Sequence, residues 1–296
     1  MNRLDFLKLF AALPLGASVM DLKGLYGFSK QLDATSRMPV LFLGHGSPMN
    51  AIEENEFVAG FRQIVKTIPT PRAILCVSAH WETVGTLVTA MSQPRTIHDF
   101  GGFPKALYEV QYPAPGSPAL AEETQRLVQQ TSIGLDKDHW GLDHGAWSVI
   151  KHLYPQANIP VIQLSLDRTK PAAYHYELAK ELSLLRDKGV LIIGSGNMVH
   201  NLGLVAWDRL NDTSFAFDWA KEAAASMRKN ILSGNHDPLI NYRSQGKAFE
   251  LAIPTPEHFL PLLYTLAMQG SKDEVRLFND KALAGSLTMT SVRIGA

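Results

Sequence analysis

Three short apolar runs in the sequence lead directly into histidine: Leu41-Phe42-Leu43-Gly44-His45-Gly46, Leu75-Cys76-Val77-Ser78-Ala79-His80, and Ile192-Ile193-Gly194-Ser195-Gly196-Asn197-Met198-Val199-His200. Each is rich in Val, Ile and Leu, as buried parallel strands are. In an open α/β sheet ligands gather outside the carboxyl ends of strands, where small residues let backbone approach closely. The three imidazoles are therefore expected to share one crevice. A fourth, His258, lies in Thr255-Pro256-Glu257-His258, where Thr255 reads as an N-cap and Pro256 as the first helical residue. His258 is then expected in a first helical turn, where the positive end of the helix dipole keeps the ring neutral and able to hold a cation. Imidazole and carboxylate ligands suit Fe(II), Zn and Mn alike. A facial set with open positions is the pattern of ferrous oxygenases, and a closed tetrahedral set that of structural zinc. The expectation is that His45, His80, His200 and His258 converge on one divalent metal.

Two further motifs, His98-Asp99-Phe100-Gly101-Gly102-Phe103 and Asp143-His144-Gly145-Ala146-Trp147, each place a histidine beside a carboxylate and glycine. A group that orients a metal ligand or lines a substrate pocket has these needs, although ordinary turn chemistry produces the same triplets. Gly194-Ser195-Gly196 lacks the third glycine of a dinucleotide loop, and nothing matches G-x-S-x-G, a P-loop or H-E-x-x-H. The remaining His139, His152, His175 and His236 fall in predicted helices or polar loops and read as surface residues.

The elements that must position these residues alternate between strand and helix. Strands are expected over 39–43, 73–77, 160–166 and 190–193, and helices with apolar residues at three- and four-residue spacing over 119–130, 174–186 and 215–231. Residues 285–295 read as a closing strand, antiparallel to the rest. No internal repeat or low-complexity tract interrupts this alternation, which argues an α/β fold. With 296 residues and 46% hydrophobic composition the chain can bury a full core as one domain. Lys plus Arg and Asp plus Glu balance at 28 each, so no excess charge draws the whole protein to nucleic acid or to an anionic membrane. A small molecule is the expected partner. The single cysteine, Cys76, excludes an intrachain disulfide and a thiolate-rich metal site, leaving nitrogen and oxygen ligands.

At the N-terminus Arg3 and Lys8 precede a short apolar run, too short to span a bilayer, that reads as an export signal. It resembles a twin-arginine leader in which Leu4 replaces the second arginine and Asp5 adds a negative charge. The alternative, and the favoured one, is an amphipathic helix on a cytoplasmic protein. On either reading residues 1–36 lie outside a domain spanning 37–296.

Seven ordered motifs, L-F-L-G-H-G-S-P-M-N, V-S-A-H-W, T-I-H-D-F-G-G-F-P, Y-P-A-P-G-S-P-A-L, D-H-G-A-W, S-G-N-M-V-H-N and P-T-P-E-H, run from Met38 towards the C-terminus. Together they resemble the bacterial and plant 4,5-DOPA extradiol dioxygenases, within the class III (LigB-like) extradiol ring-cleavage superfamily. The resemblance implies a three-layer α/β/α sandwich with a mixed central sheet. It implies a non-haem Fe(II) centre that cleaves a catechol such as DOPA with O2 to a muconic semialdehyde-type product, with zinc able to occupy the same site. Carried over to this chain, His45, His80 and His258 match the metal ligands. His200 matches the acid/base histidine, and it would serve as a fourth ligand when substrate is absent. The wider superfamily uses two histidines and a glutamate, so Glu257 stands as the alternative third ligand. His98 and His144 are expected to line the catechol pocket. Two rival readings use the same histidines: a zinc hydrolase working through metal-bound water, and a non-catalytic metal-binding scaffold of the same fold.

Overall fold

Backbone periodicity and pairing sort the chain around one mixed sheet. The computed structural model describes residues 37–210 and 212–295, and the N-terminal segment read above as a leader or helix lies outside them. Four strands form the parallel centre: β1 (Val40–Gly44), β2 (Ala73–Thr83), β5 (Val161–Asp167) and β6 (Val190–Gly196). Around them lie β3 (Thr86–Thr89), β4 (Ile133–Asp136), β7 (Val275–Phe278) and β10 (Ser291–Ile294) in the order β4-β3-β5-β2-β6-β1-β10-β7. β3 runs antiparallel to β5, and β10 antiparallel to β1. The expected closing strand is therefore present, but only its last part joins the sheet. Leu287–Thr288 (β9) pairs instead with Ala282–Leu283 (β8) in a separate hairpin.

Alternation along the strands builds two cores, because successive side chains point to opposite faces. Val40, Phe42, Leu75, Val77 and Ile192 face one side, where the helices Ala172–Leu182, Asp218–Ser233 and Leu260–Ala267 pack. Leu41, Leu43, Ile74, Cys76, Leu191 and Ile193 face the other, under Glu56–Val65 and His144–Leu153. The result is a single-domain three-layer α/β/α arrangement. Among the described residues no helix is long and apolar enough to cross a membrane.

The predicted helices are present with shifted ends. Pro118–Leu127 starts one residue early because Ser117 caps it, accepting from Leu120 N–H. The helix expected over 174–186 is α-helical only over Ala172–Leu182 and tightens to a 3-10 turn before Gly189 ends it at φ 78°. Two of the four histidines expected at the surface are buried: His175 is fully inaccessible beneath Tyr264, and His152 is 7% exposed with Nε2 on the Asn50 carbonyl. Polar helix positions gave no sign of the layers that cover them.

Candidate metal centre

The register of the central strands dictates which side chains meet. Leu43 of β1 and Ser78 of β2 both align with Ser195 of β6. Two residues further on, and so on the same face, come His45 and His80. That face belongs to the His144–Leu153 helix, whose N-terminus Asp143 caps by accepting from Ala146 N–H. Gly145, in the first turn, is indispensable for the approach: a Cβ there would fall 2.5 Å from Ser78 Oγ and 2.8 Å from His80 Cδ2. β2 does not end at its histidine as the sequence suggested. A register shift between Val77 and Glu82 lets it rejoin β5 through Glu82 and Thr83, so His80 projects from an irregular stretch within the strand.

His258 arrives from the opposite side. Its carbonyl accepts from Asn197 N–H at 2.9 Å and lies where a Cβ on Gly196 would be, at 2.1 Å. The expectation that His258 sits in a first helical turn is corrected by the structure. The helix begins at Leu260, and residues 257–259 form a turn before it. The Thr255 hydroxyl donates to Glu257 Oε1 rather than capping backbone N–H groups.

The ring nitrogens of His45, His80 and His258 lie within 4.8 Å of one another. His200 joins through His258: their rings stack with centroids 3.5 Å apart and 8° between planes, and His200, Glu257 and His258 form a second such group. A third group, His80, Asp99 and His144, shares His80.

Proton accounting shows which nitrogens face inward. Ser195 donates its one hydroxyl hydrogen to the Gly145 carbonyl, which can only accept. Towards His45 Nδ1, 3.0 Å away, Ser195 must therefore accept, so Nδ1 carries the proton and Nε2 keeps its lone pair. His258 Nδ1 likewise donates to Glu257 Oε1 at 3.1 Å. His80 Nε2 stands 3.3 Å from His45 Nε2. Buried imidazoles with outward N–H groups held by acceptors and inward lone pairs are the arrangement of histidine metal ligands, and the donor set fits a divalent cation.

Electrostatics agree with the geometry. Burial, then the neighbouring His80, His258, His144 and His200, hold His45 well below the usual histidine range, and burial with His144, His258 and His200 does the same to His80. Burial also lowers His258, against the opposing pull of Glu257. His200 is drawn down to about 3 by burial and by His258. Burial works to raise Glu257, but hydrogen bonds led by that from His258 bring it down to about 2, so it is a carboxylate. All four histidines are thus neutral near pH 7 and able to ligate a cation.

A wall of aromatic rings adjoins the trio. Phe100 meets His144 edge-on at 5.5 Å and packs with His98, Phe103, Tyr108 and Trp147. His98 is set back in this wall, with Nε2 against the Val110 carbonyl at 2.9 Å. Behind it Asp143, fully buried, is raised by desolvation and by Asp99 while Ser78 and Gln163 donate to it. Ser195, Ser78 and Gln163 escaped the sequence reading. The one signal was their parity with His45 and His80 along adjacent strands.

Residues 36–289 match the family described as the catalytic LigB subunit of aromatic ring-opening dioxygenase. A 4,5-DOPA dioxygenase extradiol of Escherichia coli (strain K12) is 46% identical over 88% of this chain and 96% of its own length. The protein of that name from Beta vulgaris is 36% identical over 85% of this chain and 94% of its own. A crystal structure of an uncharacterized Escherichia coli K12 protein superposes with a TM-score of 0.76 at 43% identity, covering 88% of this chain and all of that one. With its sheet, its converging histidines and these relatives agreeing, the chain belongs to the LigB family of extradiol, aromatic ring-opening dioxygenases.

Proposed function

We propose that this protein is a non-haem Fe(II) extradiol dioxygenase that cleaves a catechol such as DOPA with O2 to a muconic semialdehyde-type product. The observation that carries the reading is the trio His45, His80 and His258, its ring nitrogens within 4.8 Å of one another and two Nδ1 protons already committed to Ser195 and Glu257. These three would hold the metal, with His200 as a fourth ligand when substrate is absent. A ferrous ion held there would supply Lewis acidity and open positions for catechol and O2, and would balance the charge of a deprotonated catechol oxygen.

The protein's own residues do the rest. His200, stacked on His258, accepts a proton from the catechol as it binds and returns it during ring opening. His144 touches the catechol, and Phe100, backed by His98 and the buried Trp147, packs against the flat ring and keeps water from it. Glu257 holds the His258 ring, its Oε1 accepting from His258 Nδ1 and from Thr255, which supports His258 rather than Glu257 as the third ligand. Zinc would suit the same nitrogens but, having no redox chemistry, would not activate O2.

The test is to load protein anaerobically with Fe(II) or with zinc, add DOPA and simpler catechols, admit O2, and follow oxygen uptake with the appearance of a yellow product. Uptake with iron alone is expected. No uptake across the panel would overturn the reading, and oxygen-independent ester or amide hydrolysis with zinc would replace it by a hydrolase.

A further inference from the structure

The histidine facing the aromatic wall is held by one carboxylate from two directions. Asp99 Oδ1 accepts from the backbone N–H of His144 at 2.8 Å, and Oδ2 accepts from His144 Nδ1, also at 2.8 Å. The same Oδ2 lies 3.8 Å from Nδ1 of His80. The His144 side chain is 8% exposed, with the His80 ring at 3.9 Å and the Phe100 edge at 5.5 Å, so it has little room to turn. Asp143 fixes the first turn of its helix from below.

A carboxylate only accepts, so the His144 proton sits on Nδ1. A neutral imidazole carries a single N–H, and its second nitrogen is then an acceptor. We infer that Asp99 is a positioning residue that locks His144 in the Nδ1–H tautomer. His144 Nε2 thereby becomes a fixed acceptor that takes a phenolic hydroxyl still bearing its proton, in preference to a phenolate or carboxylate oxygen. The ligand class follows from the proposed catechol chemistry, on which it rests. A catechol bound with one oxygen deprotonated has one donor end and one acceptor end, and Nε2 of His144 selects the donor end and so orients the ring. The contact of Asp99 with His80 ties this choice to the position of a metal ligand.

Asp99→Asn tests the inference because the amide reverses the pattern. Its oxygen remains with the His144 backbone N–H, which needs an acceptor, and its NH2 then faces Nδ1. The proton is forced to Nε2, and the acceptor becomes a donor. The full-length zinc-loaded protein, labelled with 15N at histidine, reports the tautomer directly. The wild type is expected to show an unprotonated Nε2 and a protonated Nδ1 for His144, assigned by its loss in His144→Ala, and Asp99→Asn the reverse. Catechol affinity of the same zinc protein is expected to fall about tenfold or more in Asp99→Asn. It should fall less than about twofold further when the change is made in His144→Ala, since Asp99 acts through His144. A protonated Nε2 in the wild type overturns the inference without any variant, as do additive effects in the double variant. A wild type with the expected tautomer that binds no catechol overturns the catechol reading and the assigned ligand class, and leaves the locking by Asp99 standing.

Discussion

Ser195 stands between the His45 ring and the Gly145 carbonyl, accepting from the first at 3.0 Å and donating to the second. One hydroxyl thus joins the end of β1, the end of β6 and the first turn of the helix that carries His144. Its removal in Ser195→Ala leaves a buried N–H and a buried carbonyl without their partner. Metal affinity is expected to fall about 10- to 100-fold, as for other residues that orient a ligand, and stability by about 1–3 kcal/mol. Chelator competition and urea unfolding measure the two, and an unchanged metal affinity would remove Ser195 from the site.

The stack of His200 on His258 separates holding the metal from moving protons. His45→Ala is expected to abolish metal retention. His200→Ala should keep the metal and lose about 10²- to 10⁴-fold in turnover, the range of a general acid/base. Metal content by elemental analysis alongside oxygen uptake distinguishes them. Loss of metal from His200→Ala would make that residue a ligand first.

The four central strands, and the histidines that follow three of them, were legible because local composition and period carry them, whereas the short outer strands β3, β4 and β7 gave no such run. The residues that tune the site were not. Ser195 looked like part of an incomplete glycine loop, and its meaning appears only when β6 is laid between β1 and β2 with Ser78 and Leu43 level with it. His258 was misplaced because Thr255 had a second partner available, Glu257, which local capping rules ignore. The length of β2 beyond Val77 depends on β5, a strand about 80 residues away in sequence, and not on its own polar residues. His175 was read as exposed because a histidine in a helix shows nothing of Tyr264 on the helix that covers it.

Gly145 tests how closely the helix must approach β2. Ala is the better helix former by about 1 kcal/mol, yet its Cβ would meet Ser78 Oγ at 2.5 Å and His80 Cδ2 at 2.8 Å. Overpacking of this kind costs about 1–3 kcal/mol, and the relief available is displacement of the His80 ring. Gly145→Ala is expected to be less stable than the wild type and to bind metal more weakly. Gly101→Ala is the control, since a Cβ there meets nothing within 4 Å. Equal metal affinities in the two variants would show that His80 tolerates the intrusion.

His175 gives a pH dependence separable from the metal centre. Buried beneath Tyr264, whose hydroxyl is 3.1 Å from its Nδ1, it is drawn down to about 4 chiefly by desolvation, against the opposing pull of the Asp167 carbonyl. In the unfolded chain it titrates near 6.5. Between those values the unfolded state binds more protons than the folded one, so the contribution of His175 is fully present above about pH 6.5 and is lost as pH falls towards 4. The other buried histidines add slopes of the same sign in wild type and variant alike, so the informative quantity is the difference between the two. His175→Gln keeps a polar side chain of similar reach and does not titrate. Urea unfolding of metal-free protein should therefore show the wild type losing more stability than His175→Gln between pH 7 and pH 4.5, by an amount on the order of 2 kcal/mol. Parallel losses in the two proteins would mean that His175 opens to solvent before it is protonated.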